Sequence, residues 1–98
     1  MQRTFIKELG TKIGEEVMIK GWVDIRRDQG KMIFLDFRDM TGVVQGVILP
    51  GVVEALEQGK KLRQEFVVQV EGKVNERPAK NKKGGILNGG IELEILKI

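Results

Sequence analysis

A phenylalanine that shares a strand face with charges, two polar side chains on apolar strands and two groups of basic residues are the features with chemical potential. Phe34 alternates with Asp36 and Arg38, opposite in parity to Ile33, Leu35 and Phe37. A period of two puts its ring on the outer face of a strand, where it could stack on an unpaired base. Gln45 interrupts the apolar run Val43 to Ile48, and Glu92 alternates with Ile91 and Leu93; side chains of this kind can hydrogen-bond base edges. Arg26, Arg27 and Lys31 surround the turn Asp28-Gln29-Gly30-Lys31, while Lys73, Arg77, Lys80, Lys82 and Lys83 crowd a later, glycine-rich stretch. Such cations neutralise phosphates. Competing explanations are an N-terminal turn that covers Phe34 through Phe5 or Ile6, and lysine loops that are merely solvated.

Catalysis has little to work with. The 98 residues include no histidine and no cysteine, which excludes disulfides, His- or thiolate-ligated metals, Ser-His-Asp triads and Cys-His dyads. No glycine-rich loop ends in Lys-Ser or Lys-Thr, and Gly59-Lys60 falls inside a helical pattern. Glu92 and Glu94 share one strand face, as a solvated face explains more simply than an acid–base couple. The domain is therefore expected not to be an enzyme. Seventeen Lys and Arg against fourteen Asp and Glu give a net charge of +3, which permits a polyanionic partner without demanding one. No apolar run approaches a membrane span and no charged-then-apolar leader opens the chain, so the expected setting is cytoplasmic, with no membrane contact.

The elements that must position these residues can be read from periodicity. An amphipathic turn is expected at residues 4–10, closed by Gly10. Val17, Ile19, Val23 and Ile25 form the apolar parity of a first strand over Val17 to Arg27, with Met18, Lys20, Trp22, Asp24 and Arg26 opposite. Gly21, on the apolar parity, marks a bulge or bend that lets one strand pair on both sides. Strands over Met32 to Arg38 and Val43 to Ile48 follow, then a helix over 52–62 interrupted at Gly59, then strands from Phe66 to Val74 and from Ile91 to Leu96. Three strands, a helix and two strands in a single domain, 1–98, is the all-β pattern with one inserted helix of the five-stranded Greek-key OB-fold barrel. An SH3-like barrel is the nearest competitor but normally lacks the helix. OB-folds bind nucleic acid on strands two and three and the loops after strands one and four, which would bring Phe34, Gln45 and both basic groups together.

A longer pattern then emerges. Gly21-Trp22-Val23, Arg26-Arg27-Asp28-Gln29-Gly30 and Ile33-Phe34-Leu35-Asp36-Phe37-Arg38-Asp39-Met40-Thr41-Gly42-Val43-Val44-Gln45, with Leu62-Arg63-Gln64-Glu65, Val70-Glu71-Gly72-Lys73-Val74 and Arg77-Pro78, closely resemble the N-terminal anticodon-binding domain of aspartyl-tRNA synthetases. The resemblance implies an OB-fold that grips the anticodon loop of a tRNA, that of aspartate above all. In it Phe34 stacks on a splayed base, Gln45 bonds a base edge and Arg27 contacts the anticodon. A family glutamate in a motif resembling G-E-I-E falls on Gly89-Gly90-Ile91-Glu92, which gives the role to Glu92, with Glu94 next on the same face; Lys80-Asn81-Lys82-Lys83 is expected near the tRNA.

The resemblance also implies a separate class II catalytic domain, not among these residues, that uses ATP and Mg²⁺; no cofactor is expected in this one. The isolated domain should be monomeric or weakly associated, and the parent a homodimer. Asparagine specificity stays open beside aspartate. The apolar end Ile95-Leu96-Lys97-Ile98 reads as a strand from which further chain continues. Two other functions stay in play, a general single-strand-binding module and a structural or dimerisation domain with Phe34 and Trp22 in a protein interface.

Overall fold

The computed structural model describes residues 2–77 and 89–98. Five strands, β1 (Glu16–Gln29), β2 (Met32–Asp39), β3 (Gly42–Ile48), β4 (Val67–Glu76) and β5 (Ile91–Lys97), close into a barrel in the order β1-β2-β3-β5-β4. Every neighbouring pair is antiparallel except β3 and β5, which run parallel with Gly46 beside Leu93 and Val47 beside Glu94. This is the five-stranded barrel with one short helix expected of an OB-fold.

The first strand serves two neighbours. It pairs with β4 over Glu16 to Trp22 and with β2 over Trp22 to Gln29. Gly21 stands at the changeover, where a Cβ would strike the main-chain carbonyl of Arg38; only glycine lets the backbones approach so closely. Gln29 faces Met32, so the hairpin turn is Gly30-Lys31, tighter than the four residues the sequence suggests, with Gly30 at φ +63°.

The irregularity in β1 comes three residues after Gly21. Val23 pairs with Phe37 but Ile25 pairs with Asp36, which leaves Asp24 as an extra residue. A bulge of this kind reverses the parity of everything beyond it. Ile25, placed inside by simple alternation, is therefore 45% exposed. Arg26 comes to lie opposite inward-facing Leu35, and Arg27 opposite outward-facing Phe34.

Inside the barrel Val17, Ile19, Val23, Leu35, Phe37, Val44, Val70, Val74, Leu93 and Ile95 form one buried cluster. Its two ends are closed differently. At one end a 3₁₀ helix, Ile6–Thr11, inserts Ile6 and Leu9. Asp39 at the end of β2 anchors it, accepting from the Ile6 amide at 2.9 Å, the Thr41 amide and hydroxyl at 2.7 and 2.6 Å, and the Gly42 amide at 3.2 Å. Burial alone would raise the Asp39 pKa, but the Thr41 hydroxyl and the three amides together hold it below its ordinary value.

At the other end lies α1, Val53–Gly59, which buries Ala55. It is shorter than the 52–62 expected. Gly59 is buried against Ile48 and Ile33, where a Cβ would come within 2.6 Å of the Ile48 Cδ1, and the chain turns there so that Leu62 re-enters the core. Arg26 braces this turn, its Nη1 donating to Lys60 O at 2.5 Å, to Leu62 O at 3.1 Å and, at 3.3 Å, to Gly59 O, which also accepts from the Leu62 amide.

Candidate nucleic-acid interface

On the outer surface of β1, β2, β3 and β5 the registers line up two transverse rows. One runs from Arg27 through Phe34 and Val47 to Glu94. The other runs from Ile25 through Asp36 to Gln45, whose Nε2 donates to Glu92 Oε2 at 3.3 Å. Phe34 is half-buried and stands outside the core cluster. An aromatic ring partly open to solvent, flanked by a cation and by amide and carboxylate groups, suits an unpaired base that stacks while its edge is hydrogen-bonded.

Each polar group here is held by another. Arg27 Nη1 lies 3.5 Å from Asp36 Oδ2, and Arg38 Nη2 lies 3.3 Å from Asp24 Oδ2. Arg77, directly after β4, donates from Nη2 to Gln45 Oε1 at 3.2 Å and from Nε to Ile91 O at 2.9 Å. Glu92 is pushed up from the ordinary glutamate pKa by burial, helped by nearby Glu94 and opposed by Arg77 and the Gln45 amide. Glu94, one step along the strand face, instead accepts from Asn75 Nδ2 at 2.9 Å.

Phe34, Gln45, Glu92 and Arg27 are thus brought onto one surface, and Lys31 stands exposed at the tip of the β1–β2 turn. Arg26 is not part of that surface: the bulge at Asp24 turns it inward, its guanidinium is spent on carbonyls after α1, and its Nε lies 3.1 Å from Asp28 Oδ1. Lys82 and Lys83 lie outside the described residues, as does Lys80. Ile6 does not cover Phe34, because it enters the core at the Asp39 end of β2; Phe5 instead carries the Arg3 guanidinium over its ring at 4.6 Å.

Two contributors were not singled out by sequence. Arg77 counts there as one cation among several and as part of the familial Arg77-Pro78, with no role of its own, and Asn75 not at all. The usable signal for Arg77 was its position one residue past an alternating strand; in the structure that strand ends with Glu76 opposite Ile91, and the Arg77 amide continues the ladder to Gly90 O. Among the described residues no three carboxylates converge into a metal-binding group, and no helix is long and apolar enough to cross a membrane.

The barrel with its polar, aromatic-bearing face defines a class, and comparison agrees: the chain belongs to the OB-fold nucleic acid binding domain family of the tRNA anti-codon type, whose model matches residues 17–98. Its particular relatives are aminoacyl-tRNA synthetases. It is 45% identical over 89 residues to the aspartate–tRNA ligase of Geobacillus kaustophilus (strain HTA426), an alignment covering 90% of this chain and 15% of the relative. It is 48% identical over 82 residues to the aspartate–tRNA(Asp/Asn) ligase of Dehalococcoides mccartyi (strain ATCC BAA-2266 / KCTC 15142 / 195), covering 83% of this chain and 14% of that one. Among solved structures, asparaginyl-tRNA synthetase from Pyrococcus horikoshii superposes with a TM-score of 0.80 at 35% identity, over 99% of this chain and 21% of the other. The chain thus corresponds to the anticodon-binding domain of such enzymes, about 15% of the length of the ligases it matches.

Proposed function

We propose that this domain recognises the anticodon loop of a tRNA, that of aspartate first, on behalf of the catalytic domain of an aspartate–tRNA ligase. One base stacks on Phe34 while Gln45 and Glu92 hydrogen-bond base edges. Arg27, Lys31, Lys82 and Lys83 supply contacts to the anticodon and the phosphates. The observation that carries this reading is the placement of Phe34, half-open on the outer face, between Arg27 on one side and the Gln45–Glu92 pair in the adjoining row. ATP and Mg²⁺ would be handled by the catalytic domain, the assembled enzyme would be a cytoplasmic homodimer, and this domain alone a monomer.

The test is binding to two labelled stem-loops, one with the aspartate anticodon and one with those bases scrambled, across a salt series. A preference that disappears in Phe34→Ala is the expected result. Equal binding that falls steeply with salt would reduce the domain to a general single-strand binder. A second reading, a protein-contact domain, is favoured by Ile25, Phe66 and 83%-exposed Val67, the last paired with Trp22; sedimentation of the domain as a dimer, with no RNA affinity, would establish it.

A further inference from the structure

The Gln45 side chain has two ends that are chemically opposite and nearly alike in shape, so a free amide could present either order of donor and acceptor to a base. Here the two ends have unlike neighbours. Arg77 Nη2 donates to Oε1 at 3.2 Å, and Nε2 donates to Glu92 Oε2 at 3.3 Å. Turning the amide over would set its NH₂ against a guanidinium, donor against donor, and its oxygen against a carboxylate, acceptor against acceptor. The guanidinium is itself fixed, because Arg77 Nε is bonded to Ile91 O at 2.9 Å and the Arg77 amide to Gly90 O at 2.9 Å. One N–H and one lone pair of Gln45 then remain for a ligand, in a single order.

From this we infer that Arg77 is the positioning residue for Gln45: it locks the amide in one orientation and so gives the face its base preference at the position Gln45 reads. The inference rests on the proposal that this face binds RNA bases. It differs from a phosphate-contact role for Arg77, which would raise affinity for every sequence alike.

The experiment uses stem-loops carrying each of the four bases at the position whose discrimination Gln45→Ala abolishes. In Arg77→Met the ratio of affinities between the preferred and the disfavoured base should fall at least tenfold, toward that of Gln45→Ala, and the double variant should show no further fall. Uniform weakening with the ratio intact would overturn the inference. A second readout needs no RNA: the Gln45 side-chain amide should be ordered by NMR relaxation in the parent protein and mobile in Arg77→Met. An amide equally mobile in both overturns the inference, whatever the RNA result, whereas an ordered amide in a protein without base preference sinks the anticodon reading and leaves the lock standing. Should Arg77→Met fail to fold, Arg77→Lys takes both measurements, since one ammonium cannot reproduce the two-point hold on Ile91 O and Gln45.

Discussion

Arg27 and Phe34 stand directly opposite each other across the β1–β2 ladder, on its outer side. Unbroken alternation from Val23 would have turned Arg27 inward and sent Arg26 out in its place. The extra residue at Asp24 exchanges the two arginines, so one bulge decides which cation stands on the outer face beside Phe34 and which braces the barrel.

Phe34→Ala should leave the domain folded, since the ring is outside the core cluster, and should cost about 1–3 kcal/mol of stem-loop binding if one base stacks on it. Fluorescence anisotropy checks the affinity and circular dichroism the fold. Unchanged affinity in the folded variant would remove Phe34 from the site.

On the proposed reading, Gln45→Ala removes the edge contact and leaves the Phe34 ring in place. The spread of affinities across base variants should narrow by more than the mean affinity falls, as measured by competition among labelled stem-loops. A uniform loss would mean that Gln45 only supports the surface.

For Arg26 the opposite pattern is expected. Arg26→Met removes the side-chain donor from the carbonyls of Lys60 and Leu62 and from that of Gly59, which keeps its bond from the Leu62 amide, and its stability by urea denaturation should drop by about 1–3 kcal/mol. Stem-loop affinity, read where both proteins are folded, should stay the same. A folded, equally stable variant with weakened RNA binding would return Arg26 to the interface.

Asp39 predicts a pH dependence. Its folded pKa lies below the ordinary 3.8, so the ionised carboxylate favours the native state. That contribution is complete above the unfolded value and is lost as pH falls through the depressed folded one. Asp39→Asn should be less stable than the parent near neutrality, and the gap should shrink on acidification below pH 3.8. A gap that is constant in pH would show that the carboxylate charge is not what anchors the 3₁₀ helix.

Glu92 moves in the other direction. With its pKa raised above 4.5 by burial and Glu94, against Arg77 and Gln45, the ionised form costs folding stability once pH rises through that raised value. Any base contact that needs the carboxylate should weaken at a higher pH than an ordinary glutamate would require. Comparing base preference on acidification in the parent and in Glu92→Gln tests this, the variant being flat.

Much of this was legible in the chain because alternation is a local signal. The faces of β2 and the outward placement of Phe34, Gln45 and Glu92 follow from period two, and Gly21 announced the place where β1 changes partners. The position of the bulge did not follow: Val23-Asp24-Ile25 continues an unbroken alternation, and only pairing with β2 shows that Asp24 has no opposite number. The end of α1 escaped for a related reason. Leu62 keeps helical spacing yet reaches the core after a turn, stabilised by an arginine 36 residues away in sequence. Arg77 owes its role to contacts with Gln45 and Ile91, which no window along the sequence contains.

The parallel seam between β3 and β5 joins Gly46 to Leu93 and Val47 to Glu94, and the Gln45–Glu92 bond crosses it at the next step. A ligand that grips both sides of so short a join binds only the closed barrel, so by linkage it must also hold the barrel shut. RNA should accordingly slow hydrogen exchange at the amides flanking the seam. A methyl group at Gly46, which would meet Phe37 Cε2 at 2.8 Å and Ile95 Cδ1 at 2.9 Å, should weaken RNA binding from inside the barrel. On the proposed reading, recognition and closure are one equilibrium seen from two sides.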